Sequence, residues 1–170
     1  QIRRMGAAES AVGKTFTAAL TRLDGSKLNL PADLKGKVVV VDFWASWCGP
    51  CVAEIPHMKE LYAKYKDRGV EFVGISLDRT CEAARRFVKQ RELGWVQTCS
   101  GKGWQDPTAR EYGIRAIPSI WVVGADGKVV SDDARGDLAA TINQALDAEK
   151  GEQGKEGQDD QGADAAGATD

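Results

Sequence analysis

The sequence lacks any long apolar run. Its 170 residues contain no stretch approaching the roughly 18 apolar residues of a membrane-spanning helix. The stretch VVVV at 38–41 has the length of a buried strand. The opening QIRRMGAAES includes two arginines but no apolar segment behind them, so it does not have the pattern of a signal peptide. Because the chain starts at Gln1 rather than Met, we expect a processed or trimmed product.

A strong excess of charge of one sign is also absent. The net charge is −2, from 23 Lys and Arg against 25 Asp and Glu. Residues 151–170 carry six acidic residues and one lysine, a net −5, so residues 1–150 carry +3. This body is too weakly basic to indicate a nucleic-acid partner. The last segment has no Val, Ile, Leu, Phe, Met or aromatic residue, and it cannot bury enough surface to offset its ordering entropy. We predict a flexible leader at 1–14, one domain at 15–149 and a disordered acidic tail at 150–170.

Periodicity predicts alternating strands and helices. Two short extended segments flank Asp24-Gly25, a hairpin signal, and GKVVVVDFW is the best central-strand candidate. A helix should run from the cysteines to about Lys66, with a kink at Pro56. The later segments are a strand at VEFVGISLD, a helix at CEAARRFVKQREL ending at Gly94, a strand at WVQTC, a short helix at DPTAREYG, a hairpin at SIWVVGADGKVV and a helix at 136–149. This order predicts an α/β fold with a mixed, mostly parallel central sheet flanked by helices, an N-terminal β-hairpin and a late antiparallel edge.

Histidine is nearly absent, which bears on the four cysteines. Cys48 and Cys51 form one close pair, whereas Cys81 and Cys99 stand alone. Structural zinc usually needs four ligands, commonly two close pairs, and His57 is the one histidine. A purely structural role for the close pair is also disfavoured, because a bridge across so short a loop constrains the unfolded chain little. We therefore predict no metal site, and we expect His57 to be a helix-surface residue.

The stretch WCGPC, Trp47 to Cys51, begins the predicted first helix. Free N–H groups and positive potential at a helix N-terminus stabilise a thiolate. Cys48 is therefore predicted to be the exposed, low-pKa nucleophile. Cys51, one turn further in, is placed to resolve a mixed disulfide. Pro50 is tolerated in the first turn, where its missing N–H is not needed.

The stretch VVVVDFWASWCGPC resembles the active-site strand and turn of thioredoxins. Pro56, five residues after Cys51, matches the helix proline of that family, and GIRAIPSIWVVGADGKVV resembles the segment with its cis-proline, here Pro118. The leading hairpin, DLKGK and the insertion CEAARRFVKQRELGWVQTC are similar to the TlpA-like and ResA-like redoxins, membrane-anchored or secreted thiol–disulfide oxidoreductases. The resemblance covers residues 13–149 and implies a thioredoxin-like fold.

Asp42 and Glu54 are candidate catalytic acids. By alternation, Asp42 shares a strand face with Trp44, where an isolated carboxyl group should have a raised pKa. It is either an Asp satisfied by backbone at a strand end or, as the resemblance implies, the proton acceptor for Cys51. Glu54 is either a solvated acid favoured by the helix dipole or the counterpart of the active-site glutamate of ResA-like proteins. The division of labour between the two acids stays open.

The resemblance also implies a substrate-binding surface around the cysteines. It implies a cis Ile117–Pro118 bond beside the first cysteine, whereas the sequence alone favours trans. The backbone of Ile117 would then pair with an extended substrate segment. Trp47 is expected to form an apolar docking rim rather than core packing, next to Gly49 and Pro50 of the turn.

These features predict dithiol–disulfide exchange with other proteins, in the reducing direction because Gly-Pro between the cysteines resembles reducing thioredoxins. We expect a monomer whose partners are disulfide-containing proteins and a thiol electron donor or acceptor protein, without an organic cofactor. One alternative is a redoxin-type thiol peroxidase, which would need a threonine-containing loop where WCGPC stands. Another is a non-catalytic, partner-binding module of a larger chain. The resemblance implies the bacterial periplasm or another extracytoplasmic compartment, with the cytoplasm as the alternative.

Cys81 and Cys99 are predicted to form a second, structural disulfide. Cys81 opens the helix after the second parallel strand, and Cys99 ends the following strand. The carboxyl ends of neighbouring parallel strands lie side by side, so both thiols should meet at one edge of the sheet. The alternative is a pair of buried free thiols. A bridge would fit an oxidising compartment.

Overall fold

Strands and helices alternate along the part of the chain that the computed structural model describes, residues 9–156, with side chains to residue 151. The strands are β1 Ala18–Thr21, β2 Lys27–Leu30, β3 Val38–Trp44, β4 Val70–Ser76, β5 Val96–Cys99, β6 Ser119–Val123 and β7 Val129–Ser131. The helices are α1 Gly49–Tyr65, α2 Cys81–Arg91, α3 Pro107–Glu111 and α4 Leu138–Glu156. None of these helices is both long and apolar enough to cross a bilayer. The predicted order of elements is confirmed, including the N-terminal hairpin of β1 and β2.

The central sheet has the strand order β5-β4-β3-β6-β7. β4 pairs in parallel with both β3 and β5, whereas β6 is antiparallel to both β3 and β7. Four of the five strands therefore share one direction, which confirms the mixed, mostly parallel sheet. The reversed strand lies inside the sheet rather than at its edge, because β6 pairs with β3 and leaves β7 outermost.

β3 lies in the middle of the sheet because it is apolar on both faces. Its residues are buried throughout except Asp42, the pattern of a strand covered on two sides. α1 packs against β4, α4 packs against β3, β6 and β7, and α2 packs against β5. The shared direction of β3, β4 and β5 brings their carboxyl ends to one edge of the sheet. Since α1 and α2 start from that edge, it is where an open α/β sheet presents functional side chains.

Residues 13–23 pair with both outer strands of the sheet. At one side the N–H of Phe16 donates to the carbonyl of Gly127, just before β7, at 2.9 Å. At the other side the N–H of Leu23 donates to the carbonyl of Gln97 in β5 at 3.2 Å. The segment therefore spans the sheet from edge to edge, and the hairpin of β1 and β2 lies beside β5.

The ends of the described region extend the domain on both sides of the expected boundaries. Gly13 and Lys14, expected to belong to a flexible leader, are joined to Val129 of β7 by backbone hydrogen bonds. α4 continues to Glu156, although a disordered tail was expected from residue 150. The remaining parts of these two predictions concern residues 1–8 and 157–170, which lie outside the described residues.

α2 ends before Gly94, where its end was expected. Glu92 adopts the left-handed conformation, with φ of 53°, and terminates the helix. The chain then turns back toward the core, which buries Leu93 and Trp95. Burial of these two side chains supports a conformation that glycine would adopt more easily.

Candidate redox site

The CGPC turn forms the first turn of α1. Cys48 is the N-cap, and Gly49, Pro50 and Cys51 are the first three helical residues. The two cysteines are joined by a disulfide, with their Cα atoms 5.2 Å apart. The Sγ of Cys48 accepts a hydrogen bond from the N–H of Cys51 at 3.2 Å. Sulfur therefore takes the cap position that a Ser or Asp oxygen commonly fills, and the helix terminus favours negative charge on it when the bridge is reduced.

Cys48 is less exposed than predicted. Both cysteines are 5% exposed, so burial does not distinguish the nucleophile from the resolving residue. The loop before β6 covers the turn, and the carbonyl oxygen of Ile117 lies 3.7 Å from the Sγ of Cys48. The distinction between the cysteines lies in their helix positions, the cap for Cys48 and the third helical residue for Cys51.

The loop that covers Cys48 contains the Ile117–Pro118 bond, which is cis in the structure. Ile117 and Pro118 are both half-buried. Within residues 9–156, the N–H of Ile117 has no backbone hydrogen-bond partner. A backbone carbonyl of an extended segment laid along this loop could therefore accept a hydrogen bond from that N–H, as in strand addition.

Three residues of the turn face solvent beside the disulfide. Trp47 is 55% exposed, in line with a docking rim rather than core packing. Gly49 and Pro50 are also exposed. His57 lies further along α1 and is exposed, as expected for a helix-surface residue. The turn thus presents an aromatic ring and two exposed small residues next to the sulfur atoms.

Asp42 is a buried carboxyl group in the centre of the sheet. It pairs with Gly74 of β4 on one side and with Ile120 of β6 on the other. The residue keeps some accessible surface, but its Oδ1 is enclosed and has no hydrogen-bond partner among the described residues. Burial, followed by the negative charge of Glu54, raises the pKa of Asp42 to about 7. The unpaired oxygen argues against an Asp satisfied by backbone, and a carboxyl group with this pKa can exchange protons near neutral pH.

Glu54 is held in an ion pair that the sequence did not indicate. The Nε of Arg135 donates to its Oε1 at 2.9 Å, and the two side chains are 23% and 45% exposed respectively. Glu54 is therefore not a solvated acid without a partner. The partners are 81 residues apart, and no local pattern could have joined them.

A second buried carboxylate, also missed at the sequence level, holds the loop before Cys48. Asp78 accepts from the N–H of Ser46 at 3.2 Å, from the Oγ of Ser46 at 2.5 Å and from the Oγ of Ser76 at 2.6 Å. It thereby fixes the β3–α1 loop to the end of β4. Strand direction could have indicated this contact, because Ser46 follows β3, Asp78 follows β4, and residues that follow neighbouring parallel strands meet at one edge of the sheet.

Cys81 and Cys99 are also joined by a disulfide, with their Cα atoms 5.6 Å apart. Cys81 is the first residue of α2 and Cys99 is the last residue of β5. The cap of α2 is Thr80, whose Oγ1 accepts from the N–H of Ala83 at 3.3 Å. Within the described residues, no cluster of three or more His, Cys, Asp or Glu side chains could hold a metal ion.

Comparison with known proteins relates this geometry to a family. The family model described as Redoxin matches residues 7–147. The thiol-disulfide oxidoreductase ResA of Bacillus thuringiensis subsp. konkukian is 40% identical over 113 residues, which cover 66% of this chain and 63% of that protein. The chain thus spans less than two thirds of the length of this relative.

Solved structures share the fold. A thiol:disulfide interchange protein from Bacteroides sp. has a TM-score of 0.72 and 29% identity, over 83% of this chain and 93% of that one. The thioredoxin domain of a thiol-disulfide oxidoreductase from Bacteroides vulgatus has a TM-score of 0.70 and 29% identity, over 82% and 98%. The fold is therefore thioredoxin-like, and since the Redoxin model covers most of its length, the chain belongs to the Redoxin family.

Proposed function

We propose that the protein is a thiol–disulfide oxidoreductase that uses the Cys48–Cys51 pair to reduce disulfides in other proteins. The observation that carries this proposal is the position of the Cys48 sulfur as the N-cap of α1, 3.2 Å from the Cys51 N–H. A helix terminus lowers a thiol pKa and so raises the population of the reactive thiolate near neutral pH. The names of the relatives support the same chemistry.

The exchange proceeds in two displacements. The Cys48 thiolate attacks one sulfur of the substrate disulfide, forming a Cys48–substrate disulfide and releasing the other substrate sulfur as a thiolate. The Cys51 thiolate then attacks the Sγ of Cys48, which closes the Cys48–Cys51 disulfide and releases the second substrate sulfur. Two electrons pass from the protein dithiol to the substrate. A dithiol partner protein then reduces the Cys48–Cys51 bridge, so the pair itself is the redox group and no organic cofactor is required.

Asp42 is the acceptor for the Cys51 proton in this scheme. Its pKa of about 7 lets it take a proton when Cys51 attacks and release it afterwards. Arg135 holds Glu54 by an ion pair at 2.9 Å, so Glu54 acts on Asp42 through its charge rather than as the main acceptor.

The substrate lies across the turn and the loop before β6. The N–H of Ile117, which has no backbone partner within residues 9–156, donates to a backbone carbonyl of an extended substrate segment, while Trp47, Gly49 and Pro50 contact the side chains of that segment. The protein acts as a monomer on disulfide-containing proteins. The Cys81–Cys99 bridge supports a location in an oxidising, extracytoplasmic compartment.

Reduction of insulin disulfides with dithiothreitol as electron donor tests this function. We expect turnover by the parent protein and none by Cys48→Ser, while Cys51→Ser should accumulate a mixed disulfide that mass spectrometry detects. Rapid alkylation of Cys48 relative to Cys51 in the reduced protein at neutral pH would identify the nucleophile. Consumption of peroxide without insulin reduction would contradict the proposal in favour of a thiol peroxidase. No turnover in either assay would indicate a partner-binding module.

A further inference from the structure

Two of the three large apolar side chains that are exposed in the described region lie together beside the disulfide. These three are Val12, Trp47 and Trp104, and the Trp47 and Trp104 rings are 6.1 Å apart. Trp104 is 40% exposed and Trp47 is 55% exposed. Exposed aromatic clusters of this kind mark interaction sites, since tryptophan is enriched where partners bind.

The two rings border an open cavity of about 480 Å³. Its lining consists of Trp47, Leu77, Arg79, Gly103 and Trp104. Arg79 is the one charged residue in this lining, and it forms no ion pair within the described part of the chain. The cavity therefore offers an apolar floor and a cation without a counterion.

The walls of the cavity are held in place by close contacts. Gly103 has a φ of +56°, and a Cβ there would lie 3.4 Å from the Cγ of Arg79 and 3.6 Å from the carbonyl oxygen of Leu77. The turn that carries Trp104 therefore lies directly on the segment after β4. The Cys81–Cys99 disulfide joins the chain just beyond these two segments, and the hydrogen bonds of Asp78 fix the same segment to the loop before Cys48.

We propose that this cavity is a specificity site for the substrate polypeptide, which places an apolar side chain between Trp47 and Trp104 and an adjacent carboxylate on Arg79. The proposal rests on the exchange function proposed above and names its substrate class: disulfides flanked by an apolar and an acidic residue. Because Trp47 directly precedes Cys48, the occupant of the cavity and the attacked sulfur belong to one short segment. Charge complementarity to Arg79 selects the acidic residue.

A second copy of the chain fits this cavity less well. A two-fold contact between identical surfaces would bring the Arg79 side chains of both copies toward each other without a counter-charge in the lining. Like charges in an interface oppose association. A partner that supplies a carboxylate has no such penalty.

Three matched peptides test the proposal. Each carries a single cysteine in a mixed disulfide with 2-mercaptoethanol, and the cysteine is followed by Leu-Glu, Leu-Gln or Ala-Glu. The second-order rate constant for their reduction by the reduced protein is measured by chromatography, beside that of hydroxyethyl disulfide. We expect the Leu-Glu peptide to react about fivefold faster than the Leu-Gln peptide at low salt, and this preference should shrink as salt is added. The Leu-Glu peptide should also react about fivefold faster than the Ala-Glu peptide.

The variants separate the two parts of the cavity. In Arg79→Gln, the rate constants for the Leu-Glu and Leu-Gln peptides should become equal. In Trp104→Ala, those for the Leu-Glu and Ala-Glu peptides should become equal. Both should reduce hydroxyethyl disulfide at the parent rate within about twofold, because that substrate is too small to fill the cavity. Arg86→Gln, which removes an exposed arginine from α2, and Val12→Ala, which removes the third exposed apolar side chain, should keep both preferences.

The outcomes are distinct. If the parent protein does not reduce hydroxyethyl disulfide, the exchange function itself fails. If it does, but the three peptides react equally, the specificity site alone is refuted. Variants that slow hydroxyethyl disulfide as strongly as the peptides would likewise refute it, since they would act through the fold. A dimer in sedimentation that Trp104→Ala dissociates would assign the surface to a second copy and overturn the proposal.

Discussion

The two disulfides of this chain both lie at the edge of the sheet where α1 and α2 begin, but they differ in chemistry. Each has one cysteine at the start of a helix, Cys48 at α1 and Cys81 at α2. At α1 the sulfur itself is the cap and accepts from the N–H of Cys51, whereas at α2 the hydroxyl of Thr80 takes that role. A helix start is therefore insufficient for a redox cysteine, because the sulfur must occupy the cap to receive its N–H groups.

The two buried acids near the disulfides differ in their hydrogen bonding. Asp42, in the strand that leads to Cys48, has a buried oxygen without a partner and a pKa raised to about 7. Asp78, three residues before Cys81, accepts hydrogen bonds from Ser46 and Ser76. An unpaired acid is available for proton transfer, and a saturated one fixes a loop. This difference favours Asp42 over Asp78 as the proton acceptor in the proposed exchange at Cys48–Cys51.

The largest expected difference between the two disulfides is in their effect on activity. Cys48→Ser should lower the rate of hydroxyethyl disulfide reduction by roughly 10³-fold or more, because the nucleophile is lost. The double variant Cys81→Ser/Cys99→Ser should keep that rate within about twofold, because its sulfurs take no part. Turnover measured with purified, folded variants decides this. A comparable loss in both would mean that the second bridge also exchanges.

The pH dependence of stability should follow Asp42. Its pKa of about 7 in the folded protein lies above the unfolded value of about 3.9, so between these pH values the folded state holds a proton that the unfolded chain has released. This contribution is present at acid pH and is lost as pH rises through 7. Asp42→Asn should therefore gain stability relative to the parent between pH 4 and 8, by up to ~4 kcal/mol.

Urea unfolding of the oxidised proteins across that range measures the effect of Asp42→Asn. The control is Cys81→Ser/Cys99→Ser, which should show the same pH dependence as the parent protein at a lower overall stability. A difference between Asp42→Asn and the parent that does not change with pH would contradict the assignment.

The stability contributions of the two bridges should rank by loop length. Cys81–Cys99 has a sequence separation of 18 and Cys48–Cys51 one of 3. The chain-entropy relation assigns about 3 kcal/mol to the longer loop and about 2 kcal/mol to the shorter. Unfolding free energies of Cys81→Ser/Cys99→Ser and Cys48→Ser/Cys51→Ser, compared at equal m-values, test the order. The reverse ranking would show that the active-site bridge is also the main structural one.

The smallest effect concerns Arg135. Arg135→Gln should cost less than about 1 kcal/mol, because its ion pair with Glu54 is partly exposed. It should nevertheless move the midpoint of the pH–stability profile upward, since Glu54 then acts on Asp42 without a counterion. Arg86→Gln breaks a comparable exposed pair with Glu82 on α2 and should leave the midpoint unchanged. Equal midpoints in both variants would remove Arg135 from the site.

The sequence could predict what depends on local pattern and strand direction. β-branched runs located β3 and β4, alternation located Asp42 on a buried face, and the parallel connection brought Cys81 to Cys99. Contacts between distant loops could not be predicted, because nothing near Arg135 points to Glu54 and nothing near Trp104 points to Trp47. Such pairs arise from the final packing of turns that share no periodicity. The capping residue Glu92 was missed because burial of its neighbours overrides the usual preference for glycine.

The segment 13–23 has a consequence for the behaviour of the chain at high concentration. The outer strands of a sheet present unpaired backbone groups that can template aggregation. Here the backbone around Phe16 lies against the chain at β7 and that of Leu23 lies against β5, so both sides of the sheet are occupied by the protein's own residues. The carbonyl oxygen of Ile117 lies 3.7 Å from the Sγ of Cys48, and the N–H of the same residue has no backbone partner within residues 9–156. Among the described residues, this arrangement favours backbone pairing with a transient substrate at the redox site over pairing with a second copy of the chain at the sheet edges.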